Sequence, residues 1–244
     1  MNIEQWKAAL RAAARPGKVP VLQRFFKTGP GEYAEGDTFI GLTVPANRAI
    51  SRTCHSLPLD SIAIMLHEPV HEFRLAALLA LVEKYRKTRD AAGRDAIVDF
   101  YLANGHKADN WDLVDLSTPY ILGVELAEGR RLEVLPQLLA SDCLWLQRIA
   151  VVAMLTPVRH RQLDLAFDVC RQMLGHRHLL MRKATGWILR EAGKKDETAL
   201  RAFLTDNIHH ISAISLSYAT ERLDPQSRLQ FRQMRKAAAK ASAT

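Results

Sequence analysis

Two tryptophans, a carboxylate and a guanidinium fall at places in this sequence where a helical repeat would gather them. Asp115 stands four residues after Trp111, and Trp187 stands four after Lys183. On a helix that spacing puts both members of a pair on one face. Measured with a repeat of about 35 to 40 residues, Trp111, Arg148 and Lys183 take equivalent positions, so Trp111, Asp115, Arg148 and Trp187 are expected to converge on one surface. Such a set suits a cationic transition state. Breaking an N-glycosidic bond makes the sugar oxocarbenium-like. A nearby carboxylate stabilises that charge and can orient a water. Indole faces attract cations, including an alkylated base, and arginine grips phosphate in bidentate fashion. Each residue also has a plainer role open to it. Tryptophan in a helical repeat commonly fills the core. Asp115 could cap at Ser117 or pair with a nearby base, and Arg148 could pair with Asp142 or Asp115. Asp109 or Asn110 could cap the helix that holds Trp111.

A second cluster reads like a metal site and fails on chemistry. His67-Glu68-Pro69-Val70-His71 matches the H-E-x-x-H pattern of zinc peptidases. That pattern needs both histidines one turn apart on a continuous helix, with the glutamate beside them as general base. Pro69 lacks an N–H and pushes the preceding residue out of the helical region, and proline is favoured only in a first turn. The expected reading is a helix that begins at Pro69, with a surface histidine on each side and no metal.

The elements that must carry these residues are almost all helical. Apolar residues recur at three- and four-residue spacings in 69–86, 94–103, 143–155, 162–174 and 178–192, and strand signals are nearly absent. The segment 28–43, TGPGEYAEGDTFIGLT, reads as a loop. Thr43-Val44-Pro45 reads as the N-cap and first turn of a helix running to about Leu57. Arg74, Arg148 and Lys183 each precede a small-residue-rich apolar run. An all-helical period of this length is the mark of a HEAT-like solenoid, in which each helix pair needs its neighbours to bury its apolar face. The expected organisation is one domain over residues 1–232, followed by a basic Ala/Lys tail, 233–244, that frays or stays disordered.

Composition narrows the class. The 244 residues are 48% hydrophobic and 25% charged, an ordinary soluble globular balance, and no apolar run is long enough to cross a bilayer. The N-terminal stretch, polar-interrupted and containing Glu4, does not read as a signal peptide. Cys54, Cys143 and Cys170 are widely spaced and odd in number, which suggests neither a disulfide framework nor a zinc cluster and fits a cytoplasmic protein. The formal net charge is +8, and residues 128–195 carry 12 basic against 6 acidic side chains. A surplus of that size favours a polyanionic partner, most simply nucleic acid.

At these same residues the sequence resembles the AlkD family of DNA alkylation repair glycosylases. NWDLVD (110–115) is similar to the family's W-D-x-x-D block, ASDCLWLQRIAVV (140–152) to its S-D-x-x-W-x-Q-R block, and RKATGWILREAGKKD (182–196) to its K-A-x-G-W-x-L-R-E block. Upstream, RFFKTGPGEYAEGDTFIGLTVPANR (24–48) resembles a lysine, loop, then G-x-x-x-P-x-x-R segment, and HEFRLAALLALVEKY (71–85) the helix that follows. The blocks keep their order over about residues 20–225.

The resemblance implies an all-α fold, a right-handed superhelical solenoid of HEAT-like helical pairs with a concave DNA-binding face. It implies a monomer that hydrolyses the N-glycosidic bond of cationic N3- and N7-alkylpurines, such as 3-methyladenine and 7-methylguanine, in double-stranded DNA. The product is an abasic site, no metal or other cofactor takes part, and the base is not flipped, unlike in most base-processing enzymes. Carried over position by position, Asp115 becomes the catalytic carboxylate, Trp111 and Trp187 flank the sugar of the lesion, and Arg148 contacts the adjacent phosphate. Arg48 matches the start of a helix that approaches the minor groove, with Lys27 and Lys183 as further backbone contacts. The chain differs from compact members in a longer loop at 28–38, and in Thr43 and Val44 where some members carry more polar residues.

Two other classes remain open. One is a HEAT-like DNA-binding protein without excision activity. The other is a protein-interaction scaffold, a common use of helical solenoids. Binding to duplex DNA that weakens steeply with salt would separate the first from the second.

Overall fold

Helix follows helix through residues 1–241, the part of the chain that the computed structural model describes. Among these residues no strand forms, and the nearest thing to one is an isolated parallel bridge between Thr38 and Val70. The chain divides into two units, Met1–Ile121 and Leu122–Thr244. The first holds α1 (Ile3–Ala12), α2 (Val19–Phe26), α3 (Val44–Ser51), α4 (Leu59–Leu66), α5 (His71–Lys87), α6 (Ala91–Ala103) and α7 (Trp111–Asp115). The second holds α8 (Leu122–Ala127), α9 (Leu135–Leu139), α10 (Leu144–Ala153), α11 (Leu155–Arg159), α12 (Leu163–Met173), α13 (Leu179–Gly193), α14 (Glu197–Asp206), α15 (Ala213–Ala219) and α16 (Pro225–Ala241). Among the described residues no helix is long and apolar enough to cross a membrane.

In the first unit α5 is the core. Every residue from His71 to Glu83 is buried, so this helix has no solvent face until its last turn, where Arg86 and Lys87 emerge. A helix buried all round needs neighbours on all sides, and α3, α4, α6 and α7 supply them. His71, Glu72 and Arg74 occupy its first turn and are buried too. Groups of that kind tolerate burial only when paired, and their partners are the segments that build the site.

Glu72 organises the loop before α3. Its carboxylate accepts hydrogen bonds from the backbone N–H groups of Ile40, Gly41 and Leu42, at 2.9–3.2 Å. Three backbone donors that have no ladder or helix to join are thereby satisfied inside the fold. Gly41 sits at the tightest point, with φ +85°. A Cβ there would meet the Arg15 carbonyl oxygen at 2.1 Å.

In the second unit α13 takes the central place, packed against α10, α11, α12, α14 and α15. Gly186 explains how α15 comes so near. A Cβ at that position would lie 2.5 Å from the Ser215 carbonyl oxygen and 2.6 Å from Tyr218 Cβ. Side-chain caps set several helix starts in both units: Asn2 with Gln5 in a capping box, Asp90 on Gly93, Asp196 on Ala199 and Ser212 on Ser215.

The periodic segments became α5, α6, α10, α12 and α13 within a few residues of their expected bounds. Three readings change. The helix after Pro69 begins at His71, and Pro69 lies outside it. The helix from Val44 ends at Ser51 and passes into a 3₁₀ turn over Arg52–Cys54, and Thr43 makes no side-chain cap. In the basic tail, α16 runs through residue 233 to Ala241 and buries Phe231 and Ala238, while residues 242–244 lie outside the described residues. Lastly, the repeat register shifts. Arg148 and Lys183 are each the fifth residue of their helices, whereas Trp111 is the first of α7. Asp115 is the fifth residue of α7.

Replacing Gly41 by Ala combines a left-handed backbone with a main-chain clash. Gly41→Ala is expected to lower the unfolding free energy by about 3 kcal/mol, read as a shift of the urea midpoint.

Candidate active site

α7 is five residues long, and its two ends carry Trp111 and Asp115. Asn110 starts it: its side-chain oxygen accepts from the Trp111 N–H at 2.8 Å, so the plain capping role falls to Asn110. Asp109 instead accepts from Arg74 Nε at 3.0 Å. One helical turn places the Trp111 and Asp115 side chains on the same wall of a groove of about 650 Å³. Both are half-buried. The groove is also lined by Val21, Leu22 and Phe25 of α2, by Leu42 to Pro45, and by Leu75 of α5.

The groove is aromatic on one side. Phe26 stacks on Trp111 at 5.2 Å between ring centroids and on Phe39 at 5.1 Å, and Phe25 meets the Trp111 ring edge-on at 5.6 Å. Phe25 is itself 61% exposed and Val21 67%. Single exposed apolar residues are common on protein surfaces, but adjacent ones rimming a groove mark a place where something binds.

Behind the aromatic wall lies a buried ionic cluster. His71 Nδ1 is 2.8 Å from Asp37 Oδ2, and Nε2 is 2.9 Å from Asp112 Oδ2. Arg74 Nη2 donates to Asp37 Oδ1 at 2.8 Å, and Nη1 to the carbonyls of Glu68 and Pro69. Asn110 Nδ2 donates to Asp37 at 3.3 Å. Two carboxylate oxygens face the two ring nitrogens of His71, an arrangement that favours the doubly protonated imidazolium. Burial works against a charged imidazole, but Asp112 and Asp37 outweigh it and hold the pKa up from 6.5 at about 9. Burial likewise opposes ionisation of Asp37, yet the hydrogen bond and charge of His71, with Arg74, keep its carboxyl below the usual range. Phe39 and Phe26 flank the imidazolium at 4.6 and 4.9 Å, a cation–π arrangement. Asp112 Oδ1 is buried with no protein partner.

These contacts settle the H-E-x-x-H segment. His67 is exposed, and its Nδ1 contacts the Ala63 carbonyl at 2.8 Å, past the end of α4. His71 is not a surface residue, and both of its nitrogens are taken by aspartates. The two side chains serve different partners and cannot share one ion.

The other expected site residues are placed as follows. Arg48 is half-buried in α3. Lys27 ends α2 in a left-handed conformation, φ 61°, and its exposed ammonium lies 3.9 Å from Glu32. In the second unit Arg148 is buried, and its Nη1 donates to the Leu180 carbonyl in the first turn of α13 at 2.8 Å. Lys183 and Trp187 lie one turn apart on α13, both half-buried. Trp187 lines a concavity of about 420 Å³ with Arg159, Glu191, Lys194 and Lys195 among its neighbours, so it is not core.

Sequence reasoning missed His71, Asp37 and Asp112, and missed the aromatic partners Phe25, Phe26 and Phe39. Asp112 was visible inside NWDLVD. The signal overlooked was a run of ionisable residues, His71, Glu72 and Arg74, at the head of an otherwise apolar helix.

The fold and groove define an all-helical repeat protein with a carboxylate set among aromatic rings. The sequence over residues 6–223 matches the family described as DNA alkylation repair enzyme, and the chain belongs to that family. Its role is therefore in DNA repair, with DNA as the substrate. The solved structure described as "Predicted DNA alkylation repair enzyme from Enterococcus faecalis" is similar, with a TM-score of 0.66 and 16% identity, covering 87% of this chain and 97% of that one. At that identity the likeness shows a common fold. No curated protein matches the chain.

The raised His71 pKa has a signed consequence. The folded protein binds this proton more tightly than the unfolded chain does, so the stabilisation is full below pH 6.5 and is lost as pH rises through about 9. Between those limits wild type should lose about 3 kcal/mol more than His71→Gln does, measured by urea unfolding across the range.

Proposed function

We propose that the protein is a monofunctional alkylpurine DNA glycosylase. It hydrolyses the N-glycosidic bond of N3- and N7-alkylpurines such as 3-methyladenine and 7-methylguanine in duplex DNA, without flipping the base, and leaves an abasic site. The observation that carries this reading is the placement of Trp111 and Asp115 at the two ends of α7, on one wall of an aromatic groove.

The chemistry follows from the substrate's charge. An alkylated purine is already cationic. When the C1′–N bond breaks, its electron pair neutralises the base, which leaves without a general acid. Positive charge passes to the sugar. Asp115 stabilises that oxocarbenium and orients a water, which adds at C1′ and gives up a proton through the carboxylate to solvent. Trp111 and Trp187 present ring faces to the cationic sugar. Arg148 holds the neighbouring phosphate. Arg48, Lys27 and Lys183 contact the DNA backbone. The net charge of +8 supplies the long-range attraction. The protein needs no metal or other cofactor and acts as a monomer.

The test is release of 3-methyladenine and 7-methylguanine from methylated duplex DNA. Wild type is expected to release both. Asp115→Asn is expected to slow release about 100-fold or more, with DNA affinity within about threefold, since the substitution removes a negative charge and leaves the positive ones in place. No release by folded protein that still binds duplex DNA would move the reading to a DNA-binding protein. Neither release nor binding would leave a scaffold.

A further inference from the structure

The glycosylase reading uses Trp111 and Asp115 but leaves the cluster behind them without a role. That cluster is costly. Asp37, His71, Arg74 and Asp112 are held largely out of water, and charges so placed destabilise a fold unless each is matched. A core of apolar residues would fill the same volume more cheaply. The groups are instead arranged around one ring, and the ring joins three separate segments: the loop at Asp37, the first turn of α5, and α7 at Asp112.

α7 is held by two kinds of contact: Leu113 and Val114 are buried beneath it and Phe26 stacks on Trp111, while its polar anchors at Asn110 and Asp112 run to this cluster. It has only five residues, too few for a helix to be stable by itself. Its start is fixed by Asn110, which also donates to Asp37. Its second residue, Asp112, is fixed by His71. Both anchors therefore depend on the same cluster, and the residues next to them are Trp111 and, one turn on, Asp115.

We infer that His71, as an imidazolium bridging Asp37 and Asp112, is a positioning residue for the active site, setting the placement of Trp111 and Asp115. The bridge needs the charge. A neutral imidazole has one N–H. On losing its second proton, His71 would present a lone pair to one of the two carboxylates, and that side of the bridge would open. The groups facing the ring are Asp37 from the loop, Asp112 from α7, and Arg74 from α5 with Asp109 beside it. Removing the His71 proton leaves the carboxyl groups of Asp37, Asp109 and Asp112 facing the single guanidinium of Arg74.

This inference rests on the glycosylase reading for its catalytic consequence but not for its structural one, so the test has two arms. The first is spectroscopic and uses ¹⁵N-labelled full-length protein. At pH 7.5 both His71 ring nitrogens should show protonated shifts. The Trp111 indole N–H resonance should move on raising the pH, with the midpoint of His71, near 9. In His71→Gln it should start from the displaced position and not titrate. A His71 that is neutral at pH 7.5, or a Trp111 signal indifferent to both the pH step and the substitution, overturns the inference.

The second arm is single-turnover release of 3-methyladenine from saturating duplex DNA. The wild-type to His71→Gln rate ratio should be about 100 near pH 7.5, as misplacement of a reacting group by about 1 Å would give. It should halve near pH 9 and then fall about tenfold for each further pH unit, as wild type loses the same proton. DNA affinity should differ by less than about threefold, because the contacts to phosphate are elsewhere. Using the ratio cancels any titration of the substrate. A ratio near 1 throughout, or a loss carried by affinity alone, overturns the positioning role. If wild type releases no base, the glycosylase reading fails and the Trp111 signal alone decides whether His71 sets that side chain.

Discussion

The first turn of α5 is the constraint around which the N-terminal unit is built. His71, Glu72 and Arg74 enter the interior as charged groups, and each reaches a segment that could not order itself. Glu72 collects three backbone N–H groups of a loop with no regular structure. Arg74 collects the carbonyls that precede its own helix, together with Asp37 and Asp109. His71 ties that same loop to α7. Isolated from one another these charges would be intolerable in a core; matched, they convert an electrostatic requirement into a fixed geometry. The groove is the surface this geometry leaves behind, lined by Phe26, Phe39 and Trp111 on the side nearest the cluster.

The second unit reaches a comparable end by packing. α13 has buried apolar residues along most of its length, and Gly186 gives α15 room to approach. Arg148 is one of the unit's buried polar residues, donating to Leu180 at the head of α13.

Much of the architecture was legible in the sequence because helices advertise themselves. Apolar spacing located α5, α6, α10, α12 and α13, and Asp115 and Trp111 share a face as four-residue spacing requires. The misreadings share a cause. Pro69 rightly argued against a continuous helix through His67, but local sequence has no term for Asp37, more than thirty residues away, or Asp112, more than forty. Those two turn His71 from a surface residue into a buried cation. Trp111 was set in register with Arg148 by counting from one repeat to the next. The helix start at Asn110 puts Trp111 in the first place of α7 and Arg148 in the fifth of α10, because a cap obeys the residues beside it and not the period. Phe25, exposed at the groove rim, looks in sequence like any other apolar residue of α2.

Gly186 also bears on the order in which the molecule can be made. Glycine inside a helix costs roughly 1 kcal/mol relative to alanine, so α13 is weakened at the position next to Trp187. What compensates is α15, whose backbone occupies the space a side chain would have taken. A chain emerging from the ribosome N-terminus first therefore completes α7 and its cluster long before residue 219 is available. The helix bearing Trp187 must wait for a segment that lies more than twenty residues downstream. α7 and its cluster mature early and locally; the helix bearing Trp187 is fastened only once α15 has been made.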